Sequence, residues 1–288
     1  MDGFIVVNAF TVIPPIQYCI DRLIYEFRKN DIEIEIKTTF DIQYEIFSGT
    51  FEKPKFVIFF DKDADVAEMI EKQGVPVFNS SQAIKTCDDK YKTYSILADN
   101  KIPQPKSFLS PLNYSKLLND VIMIRIQQLF NFPFVLKTCR GSQGKGVYLI
   151  KNRKQFAEVE QELVDTEHMY QEFIESSAGH DFRVIIIGGK VIGSIKRESK
   201  KDFRSNVNLG GTAFPIELPQ AYYTLAKKVS KILNLDYCGV DMLEGENGEP
   251  IVCEVNSNAF FRGFEQATAI NVAKSYVDFI LEHLNETK

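Results

Sequence analysis

The first third of the chain alternates short apolar runs with amphipathic segments. Runs at residues 4–8, 56–60 and 75–78 have the texture of buried strands, and residues 32–36 alternate as an exposed strand does. Between them, apolar residues recur at helical spacing over residues 16–27. Strands that alternate with helices predict βαβ units and a small parallel sheet. No GxGxxG follows the first strand, so the dinucleotide-binding fingerprint is absent from the sequence.

Beyond residue 132 the pattern changes to hairpins. Residues 183–197, RVIIIGGKVIGSIKR, contain two apolar strands joined by Gly188 and Gly189, the pair that a two-residue primed turn prefers. Residues 237–256 repeat this design with a polar turn. The second half of the chain is therefore predicted to form antiparallel sheet.

Two prolines within residues 100–108 follow a helix that begins near Asp89, and they mark a connection between units. Later helices are predicted over about residues 219–233, with Pro219 in the first helical position, and over 266–284. We expect three units: an N-terminal α/β domain at 1–88, a central unit with a glycine-rich loop at 89–175, and a C-terminal unit at 176–288.

Composition narrows the class of protein. The 288 residues are 44% hydrophobic and 25% charged, as in a globular protein with a large core. A net charge of −5 argues against a general nucleic-acid binder, so any cationic site must be local. Five scattered cysteines without CxxC spacing favour a reducing cytoplasm. With no basic n-region and no uncharged run near ~20 residues, we expect neither secretion nor membrane insertion.

The stretch FPFVLKTCRGSQGKGVYLI, residues 132–150, places glycine and positive charge between two apolar strands. Three glycines there would let backbone amides turn toward an anion, and Lys137 and Lys145 supply charge, so phosphate is the predicted ligand. GxxxxGK[ST] is missing and the loop leads into a strand, so this is not a Walker A loop. Taken alone, a plain flexible turn explains the glycines equally well.

The last hairpin carries two acids and an amide. Alternation puts Glu254 and Asn256 on one face of their strand, and Asp241 interrupts the apolar strand that pairs with it. Opposed like charges destabilise a sheet unless they are neutralised, and carboxylate and amide oxygens suit Mg²⁺. The alternative is that both acids point to water at a sheet edge. We expect Asp241→Asn and Glu254→Gln to abolish turnover and to leave the fold intact.

Two further polar stretches are candidates for the same site. Asp181 and Arg183 share one face of a predicted strand, and Arg204 and Asn206 lie in a glycine-ended loop at residues 200–211. On composition alone, a solvated surface loop is the favoured interpretation of that stretch. The three histidines of the sequence lack nucleophilic partners nearby and are predicted to be surface or cap residues.

The ordered motifs FPFVLKTCRGSQGKGV, YQEFI, DFR, DFRSNVNLGG, GVDM and EVN resemble those of the ATP-grasp fold, specifically the RimK-type amino-acid ligases. The resemblance extends from about Asp89 to the C-terminus and is loose before that. It implies an α/β and α+β chain in which an ATP-grasp fold follows a small, Rossmann-like domain with a parallel sheet.

The resemblance also implies roles for individual residues. Those expected to contact ATP are Lys90, Lys137, Gly141, Ser142, Gly144, Gly146, Glu172, Phe173, Ile174, Asp181 and Arg204. Those expected to support catalysis are Arg183, Arg204 and Asn206, and those expected to hold Mg²⁺, for which Mn²⁺ could substitute, are Asp241, Glu254 and Asn256.

The sequence departs from the family after EVN, where many relatives have a small Ser-Pro-Gly turn. Here the chain reads SNAFFRGFE, residues 257–265, so the acceptor pocket is predicted to be bulkier and more cationic. Arg262 and Asn258 are the candidate substrate-binding residues, with Arg262 suited to an α-carboxylate. The alternative makes Arg262 a surface charge and places the phenylalanines in the core.

The function that the resemblance implies is an ATP- and Mg²⁺-dependent carboxylate–amine ligase. It would work through an acyl phosphate, release ADP and phosphate, and add an amino acid such as glutamate to a carboxylate-bearing peptide, protein tail or small metabolite. The alternatives are a phosphotransferase acting on a hydroxyl and a nucleotide-gated binding protein without turnover. Neither nucleic acid nor a membrane is an expected partner, and a homo-oligomer is left open.

Overall fold

The computed structural model describes residues 2–10, 14–141, 144–200, 202–205 and 211–286. Three sheets organise these residues, and they follow one another along the chain. The first is parallel and the other two are antiparallel, which confirms the predicted change of pattern in the second half of the chain.

The first sheet has the strand order β2-β1-β3-β4 and is parallel throughout. Its strands are β1 (Gly3–Val7), β2 (Ile34–Thr38), β3 (Phe56–Phe60) and β4 (Val77–Phe78), and its helices are α1 (Pro14–Arg28), α2 (Thr39–Ser48), α3 (Ala64–Lys72) and α4 (Ser81–Cys87). Every residue of β1 and β3 is buried, as their continuous apolar runs predict for central parallel strands. Thr38 and Asp41 form a capping box that starts α2.

The second sheet has the order β5-β8-β6-β7 and is antiparallel. It contains β5 (Ser107–Leu109), β6 (Phe134–Thr138), β7 (Val147–Ile150) and β8 (His168–Glu172), with α6 (Asp120–Leu129) and α7 (Arg153–Glu162). An aromatic cluster of Phe134, Phe156 and Tyr170 fills its own separate core. His168 is 5% exposed and bonds Glu160, so the prediction of a surface histidine is wrong there.

The third sheet has the order β11-β10-β9-β12-β13. It contains β9 (His180–Ile187), β10 (Lys190–Glu198), β11 (Thr212–Pro215), β12 (Tyr237–Glu244) and β13 (Pro250–Asn256), and the helices around it are α5 (Lys90–Asp99), α8 (Gln220–Ile232), α9 (Arg262–Thr268) and α10 (Val272–Glu286). Gly188 and Gly189 have φ of 52° and 71°, which confirms the primed turn between β9 and β10.

Two helix boundaries differ from the prediction. The single helix expected over residues 266–284 is two helices, because Ala269 takes a left-handed φ of 59° and ends α9. Ala269 is neither glycine nor asparagine, the usual signals of such an ending, so the sequence gives little warning. Pro219 lies at the N-cap position, just before the first residue of α8, and not in the first turn of the helix.

The first and third sheets share a hydrophobic core. Strand residues such as Ile5 and Ile58 pack in one cluster with Tyr276 and Ile280 of α10. The side chain of Asn79 is buried and bonds the backbone of Tyr237 and Ser257 from the end of β4. Helix α5 packs into a second cluster on the other face of the third sheet. The division at residues 88 and 175 stays a prediction. Among the described helices, none is long and apolar enough to cross a membrane.

Candidate active site

A cleft lies between the β6–β7 hairpin of the second sheet and the β12–β13 hairpin of the third. It brings together ten of the predicted site residues: Lys90, Lys137, Gly144, Glu172, Phe173, Ile174, Asp181, Arg204, Asp241 and Glu254. These residues come from five separate stretches of sequence, so their meeting in one cleft is a property of the fold. Predicted residues Ser142 and Asn206 lie outside the described residues.

The glycine-rich loop covers one side of the cleft. The hairpin pairs Lys137 with Val147, and the loop glycines have positive φ, with Gly144 at 75° and Gly146 at 68°. A Cβ on Gly146 would come within 2.5 Å of the Thr138 hydroxyl, so only glycine fits at this crossing. Lys137 is 6% exposed at the end of β6 and faces the cleft.

Lys90 approaches the same loop from the third sheet's side. It stands in the first turn of α5, and its Nζ donates to the carbonyl of Gly141 at 3.0 Å. Its Nζ also lies 3.9 Å from Oε1 of Glu254. Burial lowers the pKa of Lys90, and the neighbouring charge of Lys137 adds to that effect. Two lysines on opposite walls make this part of the cleft a local cationic site in an acidic protein.

Arg204 connects the loop after β10 to the glycine-rich loop. Its Nη1 donates to the carbonyls of Gly144 at 2.6 Å and Val147 at 3.3 Å. The rest of its guanidinium binds both carboxylate oxygens of Asp202, and this contact lowers the pKa of Asp202. Arg204 therefore lies at the cleft as predicted, and it also holds the two loops together.

The acidic pair lies on facing strands. Asp241 of β12 stands opposite Glu254 of β13, which confirms the predicted register. Asp241 is only 3% exposed, so the alternative in which both acids point to water is wrong for this residue. Its neutralising groups are two arginines. Arg183 binds it through Nε–Oδ1 and Nη2–Oδ2, each 2.6 Å, and Arg197 Nη2 lies 3.0 Å from Oδ2. Burial alone would raise the pKa of Asp241, but these guanidiniums hold it below its ordinary value.

Arg197 is the site residue that the sequence interpretation missed. It is only 4% exposed, and it also binds the carboxylate of Asp181, one of the residues predicted to contact ATP. Strands β9 and β10 pair outward from the Gly188–Gly189 turn, and a bulge in β10 between Val191 and Gly193 shifts their register by one residue. Counting outward from the turn without that bulge would place Lys196, not Arg197, opposite Asp181.

Glu254 and Asn256 are the residues best placed to accept a divalent cation. The Glu254 side chain is 32% exposed at the cleft. Asn256 donates its Nδ2 to Oδ2 of Asp241 at 3.2 Å, which leaves its carbonyl oxygen for a ligand. Within the described ranges, no three His, Cys, Asp or Glu side chains are grouped for a metal. The donor set therefore fits Mg²⁺, which commonly takes one or two carboxylates and completes its shell with phosphates and water.

The end of β8 forms another wall of the cleft. The backbone N–H of Glu172 donates to the carbonyl of Lys106 at 2.8 Å, and its carboxylate accepts from the Lys106 N–H. The Glu172 N–H is therefore used within the sheet and is not available to a nucleotide base. Phe173 packs edge-on against Phe203, with ring centroids 6.2 Å apart. Glu172, Phe173 and Ile174, three of the predicted ATP contacts, line the cleft at this strand end.

A second, wider cleft of about 510 Å³ adjoins the first and shares Lys90, Arg197 and Glu254 with it. Its lining includes the predicted residues Gly141, Arg183, Asn256, Asn258 and Arg262. Phe261 is fully buried in the core, whereas Phe260 lines the cleft together with Arg262. The alternative that places the phenylalanines in the core is therefore confirmed for Phe261 and holds in part for Phe260, while substrate binding by Arg262 stays a prediction.

Comparison with known sequences identifies relatives. A RimK-like ATP-grasp domain matches residues 87–280. β-Citrylglutamate synthase B of Danio rerio is 35% identical over 227 residues, which are 78% of this chain and 55% of that protein. A probable α-L-glutamate ligase of Maridesulfovibrio salexigens is 35% identical over 219 residues, 75% of this chain and 70% of that protein. The chain thus spans little more than half the length of the synthase.

Solved structures confirm the fold. D-Alanine–D-alanine ligase from Bacillus anthracis, complexed with ATP, superposes over the whole of both chains with a TM-score of 0.76 at 20% identity. D-Cycloserine synthetase DcsG superposes over 99% of this chain and all of its own, with a TM-score of 0.78 at 16% identity. At such identities the likeness concerns the fold, and the sequence match decides the family. The chain belongs to the RimK-like ATP-grasp family.

Proposed function

We propose that this protein is an ATP-dependent carboxylate–amine ligase that forms an amide bond through an acyl phosphate. One observation carries the proposal. The first cleft brings Lys137 of the glycine-rich hairpin and Lys90 of α5 together with Glu254 of β13, and Asn256 of the same strand lines the adjoining second cleft; cations and metal-binding oxygens placed together in this way suit a metal-bound triphosphate. The names of the relatives, which are synthases and ligases of glutamate compounds, support the same reaction class.

Charge complementarity supports a nucleotide in the first cleft. Lys90 and Lys137 would bind the phosphates, the glycine-rich loop would cover them through backbone amides, and the strand end at Phe173 and Ile174 would meet the base. Glu254 and Asn256 would hold Mg²⁺, which would neutralise charge that develops on the transferring phosphoryl group. In this assignment, Asp241 serves chiefly to fix Arg183 and Arg197 beside the reacting groups.

The proposed reaction has two steps. An oxygen of the acceptor carboxylate bonds to the γ-phosphorus of ATP, and ADP leaves with the electron pair of the broken P–O bond. The amine nitrogen then bonds to the acyl carbon, and the C–O bond to phosphate breaks. The ammonium gives up two protons, one to the departing phosphate and one to solvent. Arg183 lines the second cleft and binds Asp241, which lines the first, so it is placed to stabilise the negative tetrahedral intermediate.

The substrates that we propose are glutamate as the amine and a small polycarboxylate as the acceptor. The named products of the relatives contain citrate or N-acetylaspartate joined to glutamate. The second cleft offers Lys62 and Arg183 to such an anionic acceptor. All five cysteines are free thiols in the structure, as expected for a protein of the reducing cytoplasm, where ATP is available.

The test is ADP release from ATP and Mg²⁺ with citrate or N-acetylaspartate, with and without glutamate, followed by mass spectrometry of the product. A ligase releases phosphate only when the amine is present and yields a glutamyl amide. The phosphotransferase alternative, which the names of the relatives do not favour, would leave phosphate on the product. Absence of an amide with every amino acid tried would reject the ligase assignment. Replacement of Mg²⁺ by Mn²⁺ would show which ion supports turnover.

A further inference from the structure

Asp61 occupies a position at which parallel sheets commonly bind ligands. The strand order β2-β1-β3-β4 reverses direction between β1 and β3, and ligands bind outside the carboxyl ends of strands at such a reversal. Asn8 directly follows β1 and Asp61 directly follows β3, and both line the second cleft. Glu254 and Asn256 of the third sheet line the same cleft from the other side.

One oxygen of the Asp61 carboxylate has no donor. Its Oδ1 accepts from the backbone N–H groups of Lys62 at 2.5 Å and Asp63 at 3.3 Å. Its Oδ2 is shielded from water and has no hydrogen-bond partner in the part of the chain that the structure describes. The side chain of Lys62 turns away to Asp88, with Nζ–Oδ1 at 2.6 Å. A shielded carboxylate oxygen without a donor is costly, and a rotation of the Asp61 side chain toward the cleft that it lines would offer this oxygen to a cationic donor and relieve the cost.

The fold holds this carboxylate beside the proposed reaction centre. Asn258 donates its Nδ2 to the backbone carbonyl of Asp61 at 2.7 Å. Asn258 lies two residues beyond the end of β13, the strand that carries Glu254. The amide of Asn258, predicted to contact substrate, is thus used to tie Asp61 to that strand. Arg262, four residues further on, adds a positive charge to the lining of the same cleft.

We propose that Asp61 binds the ammonium group of the incoming amino acid, with Arg262 as the partner of its carboxylate. An anion and a cation on one cleft match the two charges of an amino acid, and charge-assisted bonds of this kind orient as well as attract. This inference rests on the proposed ligase function and assigns the amine subsite within it. Asp61 would present the amino acid on the side of the cleft that adjoins the nucleotide, where the acyl phosphate forms.

The test compares a charged and an uncharged nucleophile in the full-length protein. Hydroxylamine, uncharged at mildly alkaline pH, traps an acyl phosphate as a hydroxamate without needing an ammonium site. Asp61→Asn should lower kcat/KM for glutamate roughly 10- to 100-fold, because a hydrogen bond to a charged group is lost. The ratio of hydroxamate to glutamyl amide should rise by a similar factor. Asparagine retains Oδ1 for the two backbone bonds, so the turn is preserved.

Asp65→Asn is the matched control, since Asp65 is an exposed carboxylate on α3 outside both clefts. An unchanged kcat/KM for glutamate in Asp61→Asn, or an equal loss with both nucleophiles, would overturn the assignment of Asp61. A wild-type protein that makes neither amide nor hydroxamate would instead overturn the ligase function itself. Should Asp61→Asn fail to fold, Asp61→Ser keeps an acceptor for the turn and carries the same expected ratio.

Discussion

Arg183 and Asp241 form a two-pronged ion pair between neighbouring strands, with both nitrogen–oxygen distances at 2.6 Å. They stand directly opposite each other in the β9–β12 ladder. Arg197 approaches the same carboxylate from β10, on the far side of β9. The centre of the third sheet therefore contains a buried charge cluster in which Arg183 and Arg197 already neutralise Asp241 before any metal binds.

This cluster revises the expectation that Asp241→Asn leaves the fold intact. The substitution should lower the free energy of unfolding by about 3 kcal/mol, because it removes the carboxylate that pairs with Arg183 and one of the two carboxylates that pair with Arg197. Glu254→Gln should change it by less than about 0.5 kcal/mol, since that side chain is partly exposed. Urea unfolding of the two variants makes the comparison, and equal midpoints would contradict the structural role of Asp241. Both variants should lose ADP release.

Lys137→Ala should weaken ATP binding roughly tenfold or more, because a charge-assisted contact to phosphate is removed from a shielded position. Calorimetric titration with a non-hydrolysable ATP analogue and Mg²⁺ measures the change. Lys151→Ala is the control, because Lys151 is exposed just beyond β7. Equal affinities of Lys137→Ala and the wild type would remove Lys137 from the nucleotide site.

Arg204→Lys should lower kcat roughly 100-fold, because lysine retains the charge but lacks the planar fork that bonds Asp202 and two backbone carbonyls at once. The same variant should be cleaved faster by protease between residues 139 and 146, since the loop loses its attachment. Arg153→Lys, at an exposed arginine at the start of α7, controls for the chemical change. A normal kcat together with faster cleavage would limit Arg204 to anchoring the loop.

His168 predicts a pH dependence of stability. Burial alone would lower the pKa of His168, but the Glu160 carboxylate and the Thr166 carbonyl raise it above its ordinary value of 6.5. A raised pKa in the folded state means that this stabilisation is complete below pH 6.5 and is lost as pH rises through the folded pKa. The difference in unfolding free energy between wild type and His168→Gln should therefore shrink with rising pH. Urea unfolding at pH values below and above the folded pKa of His168 measures this difference. A difference in unfolding free energy that grows with rising pH would contradict the prediction.

Local patterns were sufficient to predict several of the strands, and the family resemblance supplied most of the predicted cleft residues. Continuous apolar runs identified β1 and β3, and the Gly188–Gly189 pair identified the β9–β10 turn, because each signal lies within a few residues. The prediction that Asp241 lies opposite Glu254 followed from the short polar turn that joins β12 to β13. Each of these inferences depends on neighbours in sequence and not on how distant segments pack.

The remaining features depend on distant contacts that no local pattern contains. Arg197 was not predicted as a site residue because a bulge shifts the pairing of its strand by one residue. Asp61 was not predicted because its proposed role depends on residues from distant parts of the chain that line the same cleft. The left-handed Ala269 carries no glycine signal. The sequence also does not reveal that two arginines from other strands converge on Asp241, whose predicted role as a metal ligand stays a prediction.

The shared core of the first and third sheets has a mechanical consequence. Those two sheets pack together through α10 and the buried Asn79, whereas the second sheet has an aromatic core of its own, formed by Phe134, Phe156 and Tyr170. We expect ADP to leave after the second sheet rotates away from the other two, about hinges near residues 103–106 and 173–179. The first and third sheets would move as one unit throughout the cycle and keep the amine subsite assembled between turnovers.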